Sequence, residues 1–545
     1  METKLFLGEV TCAFTRSIAV VGGPYLISNA DSLGDNFDLE TDQVTVGWKK
    51  VGRKWIKTLA PVNEEEISDE WTTSILMQDD MSKNEQTVLQ AFLNNTLLTA
   101  GAEIINSDKL LPIDDSTVSL ADEAQAARIA KDLKFVQGEA LPKTYNTDFN
   151  MQTDESFSRI FFHGIAAPLM AKSDAVTDSE YLKYGPYMVD MGFMKTLKMR
   201  SDDYKCYGAR VHFDENQKVS AIHCSDSDQL YLPGQPGWEE AKFQAKVSAF
   251  TLTTVREHLG QTHLIVSNDA SREIVKTLHP EHPIRRLLAI FTYNAVSVNL
   301  AAFQVLVPEN CLIHRALALD HEGGVKKVFD NAYTTTRAYE PFTKRDIKNP
   351  AVEQLAEDGD FPYLTEGRQS YEMIEKMVSE WLDKAGDEAN DEYALDFYEA
   401  MRKSSEGQDY ELPEYTPENM KYLITTIAFT VTAYHELIGH VPDYTDSPFK
   451  AGFRVPKETP TQVDLQSFIL AAFIAGATSP PAPQLLAPFP NYIGAGGAPE
   501  WERDVWTNFL SEMGLQAKKV QKAERERDFE FKYFDPSLYE CSVSV

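Results

Sequence analysis

Two histidine pairs with the same spacing constrain the fold of this chain more than any other feature of its sequence. They are His258 and His263 in "HLGQTH", and His435 and His440 in "HELIGH", and both pairs lie in apolar stretches of helical length. In a regular α-helix, residues five positions apart point about 140° away from each other, so neither pair could converge on one ion. A π-bulge adds a residue to one turn and brings such positions onto one face. The spacing therefore leaves two interpretations open: ordinary core histidines, or two buried helices with π-bulges that hold a transition metal such as iron, manganese or zinc.

The second pair also resembles a zinc-peptidase motif with one residue too many. In His-Glu-x-x-His the glutamate is the general base, and Glu436 would take this role in a peptidase of the His-Glu-x-x-Gly-His type. Such a peptidase needs a third ligand from an acidic helix further along, for which residues 499–506 ("PEWERDVW") are a poor candidate. This hypothesis also leaves "HLGQTH" without a role. A zinc peptidase is the remote alternative, and we expect Glu436 to face a cavity or to pair with an arginine.

Charge and composition limit the partners and the compartment. The chain has 83 acidic and 52 basic residues and a formal net charge of −31, which disfavours nucleic acid and allows at most weak association with anionic membranes. Its longest apolar run, residues 468–477, is about half of a bilayer span. Glu2 and Glu9 lie where a signal peptide has positive charge and then an apolar run. The five scattered cysteines form neither a disulfide framework nor a thiolate site, and we expect a soluble cytoplasmic protein.

The pattern of residues along the chain predicts a smaller mixed portion followed by a large helical domain. Residues 1–150 combine a β-hairpin (42–59) with helical stretches at 85–105 and 119–136, and this portion is expected to pack on the domain at 151–545. A second hairpin is predicted at 209–224, with its turn at Asp214–Asn216. Helices dominate from Trp238 onward, and four are predicted: 237–266, 282–306, 368–385 and 416–440. The last has Thr416 as N-cap and Pro417 at its first position, and it has almost no polar face.

A series of motifs, in order along residues 150–545, resembles the lipoxygenase family. The series consists of residues 154–170 ("DESFSRIFFHGIAAPLM"), 232–250 ("LPGQPGWEEAKFQAKVSAF"), "HLGQTH", 282–288 ("HPIRRLL"), 360–382, 429–439 ("FTVTAYHELIG") and the ending 533–545 ("YFDPSLYECSVSV"). The first 150 residues do not resemble the N-terminal β-barrel of the family, as in several bacterial and fungal members. The chain is therefore similar to a divergent, stand-alone lipoxygenase.

This resemblance implies a mainly α fold, a metal and a reaction. The fold would be a large helical bundle around two central ligand helices with π-bulges and minor β-hairpins. A non-haem iron, or manganese, would be held by His258, His263, His435 and the terminal carboxylate of Val545. Hydroxide on the metal would take a hydrogen atom from a polyunsaturated fatty acid or a similar apolar substrate, and O2 would add to give a hydroperoxide. Beyond that hydroxide, no catalytic group is expected.

Three departures from the family pattern bear on the chemistry. The fourth side-chain ligand position is Gly439, which cannot bind a metal, and we predict that a one-residue bulge moves His440 into this place; otherwise water fills it. Two glutamines that surround the metal in the family are replaced, one by Thr254 and the other in the neighbourhood of Pro442 and Asp443. The alternative is therefore a lipoxygenase fold with altered oxidative chemistry on a non-lipid substrate, or a catalytically silent one. Substrate, choice of iron or manganese, and oligomeric state are left open.

Overall fold

The computed structural model describes the helical domain and a small part of the N-terminal portion. The described residues are 46–51, 54–59, 153–173, 181–279, 281–292, 295, 298–299, 302, 306–342, 361–439, 452–461, 484–486, 499–527 and 531–543. In the N-terminal portion, β1 (Val46–Val51) and β2 (Lys54–Leu59) form an antiparallel pair, which confirms the hairpin predicted at 42–59. The helices predicted at 85–105 and 119–136 lie outside the described residues.

Five short strands form one antiparallel sheet, and they follow each other in the sheet as they do in the chain. They are β3 (Ala171–Lys172), β4 (Tyr187–Asp190), β5 (Ala209–Phe213), β6 (Val219–Cys224) and β7 (Gln229–Tyr231). The central pair, β5 and β6, is the hairpin predicted at 209–224. Its turn is closed by Asp214, whose Oδ1 accepts hydrogen bonds from the backbone N–H groups of Asn216 and Lys218 at 2.8 and 2.9 Å. The predicted hairpin is part of a larger sheet, because β3, β4 and β7 extend this pair.

The first histidine helix runs without interruption from Trp238 to Thr277. It consists of α2 (Trp238–Thr251), the π-helical segment π1 (Leu252–Ser267) and α3 (Asn268–Thr277). Gly237 precedes it with φ +87°, and a Cβ there would lie 2.6 Å from the Tyr231 ring, so only glycine fits this start. α2 packs on β5 and β6. Nearly all residues of π1 are buried, so this helix passes through the interior of the domain.

The second histidine helix consists of α9 (Pro417–Phe429), π3 (Thr430–Tyr434) and α10 (His435–Gly439). The predicted start is confirmed: the Thr416 hydroxyl accepts from the Asn419 N–H at 3.0 Å, and Pro417 occupies the first position. Every residue from Leu423 to Ile438 is buried. This helix therefore lies as deep in the domain as the first one, against which π3 and α10 pack.

The remaining helices surround these two. They are α1 (Asp154–Phe162), α4 (Pro283–Phe291), α5 (Leu312–Ala316), the π-helical turn π2 (His321–Val325), α6 (Lys326–Thr334), α7 (Pro362–Ala385), α8 (Glu392–Ser404) and α11 (Glu500–Glu526). Short 3₁₀ turns lie at Ala167–Leu169, Leu182–Tyr184, Gly192–Thr196 and Gly386–Asn390. α6 packs on π1, while α7 packs on α9 and α11. Among the described residues, none of these helices combines the length and the apolar character that a bilayer crossing requires.

The main differences from the predicted elements are in their lengths. The helix predicted at 282–306 is interrupted after Phe291, where Thr292 leaves helical geometry with φ −115°, and the described residues 295, 298, 299 and 302 are helical again. The helix predicted from residue 368 begins at Pro362, whose fixed φ suits a first helical position. The expected one-residue bulge in the first histidine helix is instead a π-helical segment of 16 residues. The described fold is otherwise mainly α, as predicted.

Candidate metal centre

Three of the predicted histidines converge at the point where the two histidine helices touch. The Nε2 atoms of His258 and His435 lie 2.8 Å apart, and the Nε2 atom of His263 lies 3.2 Å from each of them. His263 and His435 are buried, while His258 is partly buried. Within the described residues, no other group of three or more His, Cys, Asp or Glu side chains brings its ligand atoms so close together.

The π-helical segments explain how residues at this spacing meet. In π1 the backbone hydrogen bonds join residues five positions apart, and this geometry brings His258 and His263 onto one face. The Thr262 hydroxyl follows the same spacing and donates to the Glu257 carbonyl oxygen at 3.0 Å. On the other helix, π3 ends at Tyr434, immediately before His435, which is the first residue of α10. The triad therefore takes two imidazoles from one helix and one from the other.

Asn299 fixes the orientation of one member of the triad. Its Nδ2 donates to the backbone carbonyl oxygen of His263 at 2.9 Å, so its Oδ1 must face the His263 ring, where it accepts from Nδ1 at 3.1 Å. An imidazole that carries its proton on Nδ1 presents the lone pair of Nε2. Burial lowers the pKa of His263 to about 4, against the opposing effect of the Asn299 hydrogen bond, so the ring is neutral at pH 7. Neutral imidazole with a fixed tautomer is the form that binds metal ions.

The triangle of nitrogen atoms also has the dimensions of a metal site. Imidazole nitrogens bind transition metals at about 2.1 Å, and two of them at right angles about one ion lie about 3 Å apart. The three observed separations, 2.8, 3.2 and 3.2 Å, match this value. Three imidazoles suit iron, manganese or zinc, so the residues that are present fit a metal of this class.

Gly439 lies beside the triad, one turn after His435. A Cβ placed on it would lie 3.7 Å from His258 Nε2 and 3.9 Å from His435 Cε1, which are ordinary contact distances. A longer side chain at this position would therefore reach the triad, and glycine leaves the space free. The described residues His435–Gly439 are α-helical, so the π geometry lies before His435 rather than after it. His440 itself lies outside the described residues, and its role as a shifted ligand stays a prediction.

Of the other site residues that the sequence indicated, the structure describes Thr254 and Glu436. The Thr254 hydroxyl is buried without a hydrogen-bond partner among the described residues. Glu436 is buried, and the cavity or arginine expected beside it stays a prediction. Asp443 and Val545 lie outside the described residues. The last described residues, Cys541 to Val543, are buried, and the carboxylate ligand at Val545 stays a prediction.

Three residues that contact or flank the triad histidines carry little or no signal in the sequence. Asn299 is one, and its only signal is an amide in an apolar stretch ("NAVSVNLAAF"). The others are Glu257 and Tyr434, each one residue before a triad histidine, which form a buried hydrogen bond of 2.9 Å between the two helices. The local sequence of neither helix predicts this pair, because the partners are 177 positions apart.

Comparison with solved structures shows that the chain has the lipoxygenase catalytic-domain fold. A coral 8R-lipoxygenase is similar to it with a TM-score of 0.64 at 16% identity, over 93% of this chain and 80% of that one. A calcium-dependent 11R-lipoxygenase gives a TM-score of 0.65 at 14% identity, over 96% and 83%. A LOX variant in complex with arachidonate gives 0.66 at 16% identity, over 93% and 81%. No protein-family model matches the sequence, and no curated protein matches it significantly.

Proposed function

We propose that this chain is a lipoxygenase-like dioxygenase that uses a non-haem metal, iron or manganese, bound by His258, His263 and His435. Its substrate is a polyunsaturated fatty acid or another apolar molecule with an easily removed hydrogen atom, and its product is a hydroperoxide. The observation that carries the proposal is the convergence of three Nε2 atoms within 3.2 Å, on the two central helices of a lipoxygenase fold. The arachidonate complex of a structural neighbour supports the choice of substrate class.

The residues of the chain would bind and orient the reactants. Three neutral imidazoles leave a divalent ion with its positive charge, and the proposed carboxylate of Val545 would offset part of it. A bound iron or manganese ion supplies the one-electron redox chemistry that removes a hydrogen atom from the substrate. The surrounding helices limit the access of bulk water to His435, since the residues on both sides of it are buried. Because Gly439 contributes no ligand atom, we propose that His440 or water completes the set.

A second candidate is a lipoxygenase fold with different oxidative chemistry, or with none. Gly439 favours it, because this position beside the triad, one turn after His435, carries no donor atom. Thr254 favours it as well, since it makes no hydrogen bond toward the triad. The peptidase alternative is weaker, because two of the three converging histidines come from the other helix.

The first test is metal analysis of the protein, expressed with iron and manganese supplied and with no tag after Val545. We expect about one iron or manganese per chain, and its loss in His263→Ala. His279→Ala is the matched control, because His279 is a half-buried histidine outside the triad. Zinc alone would revive the peptidase alternative. Absence of any metal would contradict the proposed function.

Oxygen uptake with linoleate and arachidonate then tests the reaction. We expect consumption of O2 together with formation of a conjugated hydroperoxide, and neither in His263→Ala. A protein that holds iron or manganese but consumes no oxygen with any diene would favour the second candidate. Metal content that is unchanged in His440→Ala would leave water as the occupant beside Gly439.

A further inference from the structure

A hydrogen bond joins the two histidine helices immediately beside the triad. Tyr434 donates its hydroxyl proton to Glu257 Oε2 at 2.9 Å, and both side chains are buried. Glu257 is followed by His258, and Tyr434 is followed by His435. The two residues that cross-link the helices are therefore the chain neighbours of the two closest triad members, whose Nε2 atoms lie 2.8 Å apart.

The Glu257 side chain is also held from its other side, by an ion pair with Arg256. Arg256 binds Glu257 Oε1 through Nε at 2.7 Å and through its terminal amino group at 2.6 Å. Arg256 also reaches the Asn331 side-chain oxygen on α6 at 3.4 Å. A carboxylate that is 6% exposed is tolerated only if its oxygens are paired, and hydrogen bonds to ionised groups are stronger than neutral ones. Glu257 is thus a fixed point to which Tyr434 is attached.

We propose that the Glu257–Tyr434 hydrogen bond is a positioning bridge: it sets the separation of the two helices at the level of the triad. The inference rests on the proposed function, in which the triad binds a metal. Three imidazoles from two helices bind an ion well only if the helices already stand at the right distance, because a preorganised site loses less entropy on binding. The bridge would supply this preorganisation without touching the metal.

The test compares Tyr434→Phe with Tyr371→Phe. Tyr371 is the matched control because it is fully buried, lies on α7 and bonds the Thr426 hydroxyl of α9 at 3.1 Å, also beside the second histidine helix. Each substitution removes one buried hydroxyl from a contact between helices. Two measurements are made: Co²⁺ affinity with the visible spectrum of the Co²⁺ protein, and amide hydrogen exchange of the metal-free protein at residues 252–267 and 430–439.

We expect Tyr434→Phe to weaken Co²⁺ binding about tenfold, to change the Co²⁺ spectrum and to accelerate exchange in both segments. Tyr371→Phe should lose similar thermal stability but keep the affinity, the spectrum and the exchange of those segments. Glu257→Gln, which keeps the shape of the side chain but removes its charge, should change the same three readouts in the same direction.

Three outcomes would overturn the bridge. One is a Tyr434→Phe protein with lower thermal stability but unchanged Co²⁺ affinity and spectrum. Another is an equal effect of the two tyrosine substitutions on the metal readouts. If the wild-type protein takes up no Co²⁺, the proposed function fails by itself, and hydrogen exchange still decides: faster exchange in Tyr434→Phe supports the bridge, while unchanged exchange is the third outcome against it.

Discussion

Asn299 is the residue whose contribution to the site is best defined by its contacts. Both ends of its side-chain amide bond to His263. The amino group donates to the backbone carbonyl oxygen, and the amide oxygen accepts from the ring Nδ1. The first contact determines the orientation of the amide, and the second then determines which ring nitrogen carries the proton. Because Asn299 is 1% exposed, water cannot substitute for it easily. In the proposed function, its role is to hold His263 in a metal-binding form.

Replacing Asn299 should therefore weaken metal binding more than it weakens the fold. In Asn299→Leu, His263 loses its Nδ1 partner, and we expect a 10- to 100-fold loss of Co²⁺ affinity, as for other residues that orient a metal-binding histidine. Asn299→Asp keeps an acceptor for Nδ1 and should retain most of the affinity. Competition with a chelator measures both variants. Equal losses in the two would contradict the role of the Nδ1 hydrogen bond.

At the scale of elements, the position of π1 depends on close packing against α6. Gly260 lies in this contact, two residues after His258, and a Cβ there would lie 2.8 Å from the Ala332 Cβ and 3.1 Å from the Val255 carbonyl oxygen. No unstrained Cβ comes so close to another carbon atom, so the two helices approach each other at a glycine. The absence of a side chain at Gly260 thus allows π1 and α6 to lie this close together.

Gly260→Ala should destabilise the protein although alanine is the better helix former. Overpacking of this kind costs about 1–3 kcal/mol. Gly514→Ala is the matched control, because Gly514 lies inside α11 and a Cβ there meets nothing within 4 Å. That variant should be neutral or more stable, by up to about 1 kcal/mol. Urea unfolding measures both, and a Gly260→Ala protein as stable as the wild type would show that α6 can move aside.

The sequence predicted the elements that have a local or repeated signal and missed those that depend on distant partners. The two histidine helices follow from apolar stretches with equal histidine spacing, and the start at Thr416 and Pro417 follows from capping chemistry. The length of π1 does not follow from any local pattern, because a π-helical segment is stabilised by the surrounding packing. Asn299 and the Glu257–Tyr434 pair were missed for the same reason. Their partners lie 36 and 177 positions away, where no local period connects them.

At the scale of the whole molecule, buried histidines make stability depend on pH. Burial is the main cause of a pKa of about 4 in each of four described histidines: His212, His263, His279 and His314. A histidine in the unfolded chain has a pKa near 6.5, so between pH 6.5 and 4 the unfolded chain binds protons that the folded chain does not. The free energy of unfolding therefore decreases as the pH is lowered through this range. Glu366, Asp269 and Glu502 act in the opposite direction, because burial raises their pKa values, to about 7 for Glu366 and about 6 for Asp269. With four histidines against three carboxyl groups among the described residues, we expect net destabilisation as the pH falls from 6.5 to 4.

His212 is the histidine on which this dependence can be tested without disturbing the triad. It lies in β5, is fully buried, and neither ring nitrogen has a hydrogen-bond partner among the described residues. Its ring stacks on Tyr181, with centroids 5.8 Å apart and an interplanar angle of 9°. His212→Phe keeps a stacking ring and removes a group that the unfolded chain would protonate. The variant should therefore be more stable than the wild type, and by a larger margin at low pH.

The size of this difference follows from the shift in pKa. At pH 5 the wild-type unfolded state gains about 1–2 kcal/mol from protonation of His212, and the Phe variant does not. At pH 8 the histidine is neutral in both states, so the stability difference between the two proteins comes only from the removal of two buried nitrogens without hydrogen-bond partners among the described residues. Urea unfolding at both pH values, with a chelator present so that release of metal does not contribute, measures the two margins. Equal margins at pH 5 and pH 8 would mean that His212 is protonated in the folded protein as readily as in the unfolded chain, and that the acid sensitivity of the molecule has another origin.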